Sequence, residues 1–273
     1  MTRARGVPSS ILVTLTLLLS SGCAAGRFAP PAGPGLPAPD GPEVWAAATR
    51  GCRAVHTYSA TMFLSAQVGD ERFPGITVFS GLTDTGSFLL QGRAGVGQRI
   101  FDLAGQSGGA TLVLYRERRY VEGPADGILE ALVGIRVGPE RLLALLTGCV
   151  TLSEAVVRAA RHDDLLEIDT GDGRVFLRRR DGRWEPRAGV VDGVEVEFTR
   201  IVGGWPQEVN ILTGPGQTPP ASLRAILEEV RINVDLNPAA FDLAVPENAV
   251  PITLDELRAG GPLRERGSGG AAR

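Results

Sequence analysis

The stretch that decides the fold is Ile128–Gly148, ILEALVGIRVGPERLLALLTG, together with the two that precede it, Ser87–Gly105 (SFLLQGRAGVGQRIFDLAG) and Thr111–Gly123 (TLVLYRERRYVEG). The two earlier stretches combine short apolar runs with glycine-bearing turns, a pattern typical of antiparallel strands. In the later stretch the apolar residues follow a helical spacing, and a Gly-Pro-Glu start and a glycine stop bracket its second half. We therefore predict two helices, Ala125–Val133 and Pro139–Thr147, inserted among strands.

Strand patterns continue on both sides of this helix pair. The clearest is Val230–Leu236, in which apolar residues alternate with Arg231, Asn233 and Asp235, so that one face is apolar and the other is polar and exposed to solvent. The other predicted strands are Thr57–Val68, Arg72–Gly81, Gly86–Gly92, Gln98–Gly105, Ala110–Arg116, Arg119–Glu122, Asp164–Thr170, Arg174–Arg180, Val194–Ile201 and Glu208–Thr213.

A helix is predicted before the strands, because Gly41-Pro42-Glu43 is a helix start signal and apolar residues then recur at helical spacing. A sheet of about 10 to 11 strands curls instead of staying flat. The predicted fold class is mainly β (α+β): a strongly curved antiparallel sheet or incomplete β-barrel, with an N-terminal helix and a mid-chain helical lid.

Composition excludes several classes of protein. The chain has 273 residues, 43% of them hydrophobic, and a formal net charge of −3. Such a chain has enough apolar residues for a core and lacks the basic excess of nucleic-acid-binding proteins, so we expect no nucleic-acid partner. Two His and three Cys leave little room for a zinc site or a His-based catalytic centre. We expect no enzyme, no metal and no cofactor.

The N-terminus has the features of a signal peptide. Arg3 and Arg5 precede Ile11–Leu19, an apolar run of nine residues that is too short to span a bilayer. The following Ser-Ser-Gly-Cys23 resembles the lipobox of bacterial lipoproteins, in which the Cys is diacylated and becomes the mature N-terminus. This resemblance implies a lipid (palmitate-type) attachment at Cys23. The alternative is an ordinary secreted protein with a free thiol there.

The same resemblance implies a location. Ala24 follows the Cys, where an Asp commonly retains such proteins in the inner membrane, so the outer membrane, periplasmic face, is implied. Four segments are then expected: a signal peptide (1–22), a lipidated Cys with a Pro/Gly-rich tether (23–41), one domain (42–258) and a disordered tail (259–273).

Two cysteines remain after Cys23, namely Cys52 and Cys149. An even pair in an exported domain favours a disulfide, which would tie the N-terminal helix to the end of the second lid helix. Two buried thiols are the alternative.

At this point the chain resembles the bacterial lipoprotein-localisation factors LolA and LolB and their relatives. The likeness is carried, in order, by the strands and helix pair quoted above, by WPQEVNILT (Trp205–Thr213) and by RINVDLNPAAFDLAVPENA (Arg231–Ala249). The resemblance implies an incomplete antiparallel barrel with helices as a lid and a hydrophobic cavity for acyl chains. LolB-type receptors carry an exposed Leu at a loop tip, where this chain has Ala94 and, two places later, Val96.

The candidate cavity residues follow from strand alternation and the lid pattern. Alternation alone leaves two possibilities open, a ligand cavity and a packed core. The candidates are Tyr58, Met62, Leu64, Phe88, Leu90, Leu112, Leu114, Leu142, Leu146, Val196, Phe198, Ile232 and Val234.

Three other motifs have simpler interpretations. Gly105–Gly109 matches the G-x-S-x-G of lipases, but a strand follows it and not a helix, so a hairpin turn is favoured. His162–Asp164 contains three potential metal ligands, but adjacent residues rarely converge on one ion, which favours a solvated loop. The basic run Arg178–Arg180, with Arg183 and Arg187, either contacts anionic headgroups or is a solvated hairpin.

The sequence thus predicts an outer-membrane lipoprotein that binds or transfers an acylated lipoprotein or a lipid, anchored to the membrane and monomeric. The alternative is a non-carrier scaffold or stress-sensing lipoprotein whose barrel is packed shut.

Overall fold

A computed structural model describes residues 27–95, 97–106, 108–214 and 219–260. The predicted signal peptide and Cys23, as well as Val96, Ser107 and nearly all of the predicted tail, lie outside these residues. The chain from Pro31 onward forms one compact unit.

The described residues form one continuous sheet of fifteen strands, two of them only two residues long. The strands are β1 (Leu36–Pro37), β2 (Thr57–Val68), β3 (Glu71–Thr83), β4 (Phe88–Ala94), β5 (Gln98–Gln106), β6 (Gly109–Leu114), β7 (Arg119–Pro124), β8 (Arg158–His162), β9 (Leu165–Asp169), β10 (Gly173–Arg180), β11 (Arg183–Val191), β12 (Val194–Val202), β13 (Trp205–Thr213), β14 (Ala221–Ile232) and β15 (Val250–Pro251).

The sheet consists of two antiparallel meanders, β2 to β7 and β8 to β14, joined where β14 pairs with β2. In this pairing Leu64 lies opposite Ala225 and Met62 opposite Leu227. The short strands β1 and β15 pair with β8 and β7 at the two edges, and β15 is parallel to its neighbour. No ladder joins β7 to β8 in the described residues, so the sheet does not close into a barrel.

Among the described residues, four α-helices accompany the sheet: α1 (Gly41–Arg53), α2 (Ala125–Val133), α3 (Pro139–Thr147) and α4 (Leu254–Gly260). The pair α2 and α3 connects β7 to β8, the last long strand at each edge. Both helices end at a glycine in the left-handed conformation, Gly134 (φ 73°) and Gly148 (φ 87°), where a side chain would be strained. Side chains of α2 and α3 line a cavity together with side chains of the strands, so the helix pair covers one face of the curved sheet.

The predicted fold class, an incomplete barrel with a helical lid, is confirmed, and α2 and α3 begin and end where the period change predicts. The structure has more strands than expected. Two of the missed strands, β8 and β11, are rich in Arg and contain Pro or Ala, so they lack the apolar alternation that reveals a strand.

The predicted strand Val230–Leu236 is wrong in its position, because β14 runs from Ala221 to Ile232. Asn233 has a left-handed φ of 54°, and its side-chain Oδ1 accepts a hydrogen bond from the backbone N–H of His56 at 2.8 Å. This turn ends the ladder, so Val234 lies beyond the sheet although the alternation of half-buried and exposed side chains continues.

After β14 the chain crosses the sheet to the edge formed by β7 and β15. Leu236 lies near Gly81 of β3, and a 3-10 turn, Pro238–Phe241, contacts β4 and β5. The chain then reaches β7 as β15 and ends as α4, which packs on α2.

Candidate functional site

A cavity of about 80 Å³ lies between the lid helices and the sheet. Strands β2 to β5, β13 and β14 form its floor, while α2 and α3 form its roof. The lining residues are Met62, Leu64, Ser65, Ala66, Phe73, Ile76, Val78, Leu90, Phe101, Leu103, Leu129, Leu132, Val133, Leu142, Leu146, Ile211, Leu223 and Ala225.

The lining is apolar except for Ser65, and no ionisable side chain is part of it. Such a surface offers neither a hydrogen-bond network nor a charge for catalysis or headgroup recognition. What it offers is the transfer of hydrocarbon out of water. The cavity can therefore select for hydrophobicity and shape alone.

Strand alternation places the floor residues. Met62 and Leu64 point inward from β2, and their register partners Val78 and Ile76 point inward from β3. Gly92 of β4 leaves room for the inward-pointing ring of Phe101, since a Cβ there would lie 2.3 Å from the ring. The glycine is needed at this position because the aromatic ring fills the space over it.

Helical spacing places the roof residues. Leu129, Leu132 and Val133 lie on one face of α2, three and four residues apart, and Leu142 and Leu146 lie four apart on α3. The two helices thus present two apolar stripes to the same space.

Five of the predicted cavity residues line this cavity: Met62, Leu64, Leu90, Leu142 and Leu146. Six others are buried in the surrounding core without lining it, namely Tyr58, Phe88, Leu112, Leu114, Val196 and Phe198. Ile232 and Val234 are half-buried and also do not line it, because they lie at and beyond the end of β14.

Thirteen lining residues were missed from the sequence, and they are spread over β2, β3, β5, α2, β13 and β14: Ser65, Ala66, Phe73, Ile76, Val78, Phe101, Leu103, Leu129, Leu132, Val133, Ile211, Leu223 and Ala225. The signal was present, since Leu129, Leu132 and Val133 recur at helical spacing and Phe101 and Leu103 alternate. What the sequence did not indicate was which of many apolar residues border the empty space.

Tyr58 lies in the core next to this region. Burial raises the pKa of its phenol well above the ordinary value, and its hydroxyl has no hydrogen-bond partner among the described residues. The phenol therefore stays neutral at physiological pH and acts as an apolar packing group.

The end of α3 is fixed covalently. Cys149, just after α3, is bonded to Cys52 of α1, with their Cα atoms 5.6 Å apart. Gly148 packs against Pro186 and Pro206, where a Cβ would lie 3.2 Å from the ring of Pro186. Arg141 of α3 also donates to Asp192 at 3.0 Å.

The helix α2 is held by noncovalent contacts alone. Leu257 of α4 is 1% exposed, and Leu254 lies close to Gly127 of α2. Arg258 of α4 approaches Glu130 of α2 at 3.8 Å. The two helices of the lid are thus held in different ways.

The other sequence motifs lie outside the cavity lining. Gly105 and Gly109 lie in the hairpin of β5 and β6, and Ser107 is outside the described residues. The side chain of His162 is 7% exposed and pairs with Glu167 at 2.9 Å. Within the described part of the chain, no group of three or more His, Cys, Asp or Glu is arranged to hold a metal ion.

The basic run lies at the hairpin of β10 and β11. Arg178 pairs with Asp164 at 3.0 Å, and Arg187 lies 3.6 Å from Glu197. Arg179, Arg180 and Arg183 at the tip are exposed.

Of the predicted loop tip, Ala94 is the last residue of β4 and is half-buried, and Val96 lies outside the described residues. In the described ranges, no helix has the length and apolarity needed to cross a membrane.

No family model matches the chain, and no curated protein matches its sequence significantly. Similar solved structures include a DUF1329 family protein from Desulfovibrio piger (10% identity, TM-score 0.46, covering 76% of this chain and 97% of that one). A domain named for outer membrane lipoprotein sorting, from Vibrio parahaemolyticus, has 10% identity, a TM-score of 0.48 and coverages of 74% and 96%.

A LolA superfamily protein from Nitrosomonas europaea has 10% identity, a TM-score of 0.47 and coverages of 74% and 96%. Two of these structures carry names from the group of proteins that the sequence resembles. At this identity the likeness concerns the fold alone, and the function proposed below rests on the chain's own cavity.

Proposed function

We propose that this chain is a lipoprotein of the bacterial envelope, anchored to the outer membrane through Cys23, whose domain binds the acyl chain of a lipid or lipoprotein between the curved sheet and the lid helices. The observation that carries the proposal is the cavity under α2 and α3, which is lined by apolar side chains with the single exception of Ser65. The role requires no chemical step, since the protein only shields hydrocarbon from water.

The volume of the cavity sets the strength of binding in the closed form. About 80 Å³ holds roughly five to eight water-sized groups, and a methylene group is of similar size. Burying that many CH₂ groups contributes roughly 4–6 kcal/mol. This corresponds to dissociation constants from millimolar to tens of micromolar before any cost of ordering the ligand.

Tight binding of a full acyl chain therefore requires the lid to move outward. Ligand pockets for molecules of that size typically measure about 300–1,000 Å³. Displacing α2 would add the volume now filled by Leu129, Leu132 and Val133. We propose that the ligand enters by this displacement and leaves by the same route.

A second candidate function is favoured by the same small volume. A barrel whose interior is filled would serve as a membrane-tethered interaction or stress-sensing domain that carries nothing. The two candidates make opposite predictions about uptake, so one experiment separates them.

The experiment is native mass spectrometry with lipid extraction on residues 24–273 made in a bacterial periplasm, together with uptake of a fluorescent fatty acid. The carrier proposal predicts a bound lipid mass and saturable uptake, and Leu64→Arg abolishes both because a guanidinium in the apolar lining lacks a partner. A clean apo mass without uptake supports the closed domain.

The matched control is Leu212→Arg. Leu212 is also a half-buried leucine, and it lies on β13 next to the lining residue Ile211 but does not line the cavity itself. We expect this variant to retain uptake. Equal loss in both variants would point to general destabilisation and contradict a specific role of the cavity.

A further inference from the structure

The N-terminal segment Gly35–Asp40, here called the strap, lies along the first long strand at one edge of the sheet. Leu36 and Pro37 pair with Arg161 and Ala160 of β8. The backbone N–H of Ala38 donates to the carbonyl of Ala159 at 3.1 Å. Much of the predicted tether, from Gly35 on, is therefore part of the folded domain.

Polar contacts hold both ends of the strap. Asp40 forms an ion pair with Arg161, and the side chain of Arg158 donates to the carbonyl oxygen of Pro34 at 3.2 Å. Between them Gly35, with φ 68°, passes so close to His162 that a Cβ would lie 2.6 Å from the ring nitrogen. Only a glycine fits there, so the backbone of the strap lies directly against His162 at this residue.

The chain between a lipid on Cys23 and the strap is short. Ten residues, 24–33, separate Cys23 from Pro34, the residue before the strap whose carbonyl Arg158 contacts. The eleven Cα–Cα steps from Cys23 to Pro34 span at most about 40 Å even when fully extended. An anchored Cys23 therefore keeps the β8 edge of the domain within about that distance of the bilayer.

The same edge carries unusual apolar exposure. Leu36 is 73% exposed and Val157, the residue before β8, is 71% exposed, the two highest values among the large hydrophobic side chains of the described residues. The exposed tip residues Arg179, Arg180 and Arg183 lie on the hairpin two strands from the His162 end of β8, because Arg178 pairs with Leu165, which pairs with His162. Two strand spacings amount to about 10 Å. Val157 precedes the other end of β8, so it and the hairpin tip mark the two ends of this edge.

We propose that the β8 edge, formed by Leu36, Val157 and the tip of the β10–β11 hairpin, is the surface that lies against the bilayer to which Cys23 is anchored. The proposal rests on the anchorage in the proposed function and is independent of whether the cavity carries a ligand. The occupant is a lipid surface, into which exposed aliphatic side chains partition while arginines meet phosphate groups.

The chain itself supplies a sharp test. It contains no Lys, and Cys52 and Cys149 are bonded, so Cys23 is its one free thiol. Residues 23–273 are coupled through Cys23 to maleimide-bearing lipid in vesicles of phosphatidylethanolamine and phosphatidylglycerol. Val157→Lys provides a unique side-chain amine, which is labelled with a fluorophore before the coupling so that the amines of phosphatidylethanolamine are not labelled, and its fluorescence is then quenched by nitroxide-labelled lipid. The parent chain, labelled at its α-amine alone, gives the background.

The control is Asp70→Lys, at the exposed turn between β2 and β3 in the middle of the sheet order. We expect quenching at least about twofold stronger at position 157 than at position 70, because the ten-residue linker restrains the β8 edge alone. Arg161→Ala, which removes the ion pair to Asp40, should loosen the strap and reduce the difference. Equal quenching, or stronger quenching at position 70, overturns the proposal.

Failure here is distinguishable from failure of the proposed function. Ligand uptake is measured on the same variants free in solution, so a domain without cargo can still show the predicted orientation. Natural anchorage is read separately from the mass of the protein extracted from bacterial envelopes. A mature chain without acyl groups on Cys23 would overturn the proposal, since no bilayer would then be held at this edge.

Discussion

The two helices of the lid, α2 and α3, look alike in sequence but are held by different forces. Each has nine residues, an acid in the first turn and a glycine just after its end. A disulfide ties Cys149, just after α3, to α1, whereas α2 packs on the short C-terminal helix α4 and on β6 and β7 by noncovalent contacts alone. We therefore expect α2 to move more readily than α3.

The largest expected effect comes from removing the covalent tie. The double variant Cys52→Ser and Cys149→Ser opens a loop of 97 residues in sequence. The chain-entropy model gives a loss of about 4–5 kcal/mol for a loop of this length. Chemical denaturation, with and without the double substitution, measures it.

Cys23→Ser is the control for that experiment and should leave stability unchanged in residues 23–273. If the double variant loses less than about 1 kcal/mol, α3 is held by its packing on Pro186 and Pro206, and the contrast with α2 disappears.

The next effect comes from α4. Leu257→Ala removes a side chain that is 1% exposed. Core Leu→Ala substitutions cost about 2–5 kcal/mol. We expect faster hydrogen exchange in α2 and faster uptake of a fluorescent fatty acid, with exchange in α3 unaffected.

Arg258→Ala is the milder companion variant, since its ion pair with Glu130 is half-exposed. Pairs of this kind contribute about 0–1 kcal/mol. Equal acceleration of exchange in α2 and α3 after Leu257→Ala would show that the lid moves as one body, contrary to the comparison above.

The smallest effect is a dependence on pH. The backbone N–H and hydroxyl of Thr253 hold the pKa of Glu256 below its ordinary value of 4.5. A depressed pKa in the folded state contributes stability above the ordinary value, and this contribution is lost as the pH falls through the depressed value. Lowering the pH below 4.5, the ordinary pKa of Glu256, should thus loosen α4 and α2 before α3.

Hydrogen exchange at pH 5 and pH 3 measures this order, and Glu256→Gln should remove the difference between the two pH values in α4. An unchanged difference in that variant would assign the acid sensitivity to another carboxyl group.

Much of the fold could be predicted from the sequence because period and turn residues are local signals. The limits of α2 and α3 follow from helical spacing and glycine stops, and β2 follows from strict alternation. The arginine-rich strands β8 and β11 could not be predicted, because their strand form depends on neighbouring strands and not on their own apolar pattern.

The candidate site divides in the same way. Met62, Leu64 and Leu90 could be placed on inward faces by alternation, and all three line the cavity. Leu112 and Phe198 have the same pattern but are buried in the surrounding core instead, because the position of empty space depends on how the roof meets the floor.

The sequence by itself determined the period of α2, α3 and β2, the lipoprotein-like N-terminus and the pair of cysteines available for bonding. Only the tertiary structure decided the pairing of β14 with β2, the docking of residues 35–40 on β8 and the packing of α4 against α2. The physical reason is distance along the chain. Periodicity reports on neighbours within one or two turns, whereas these contacts join segments that are more than a hundred residues apart.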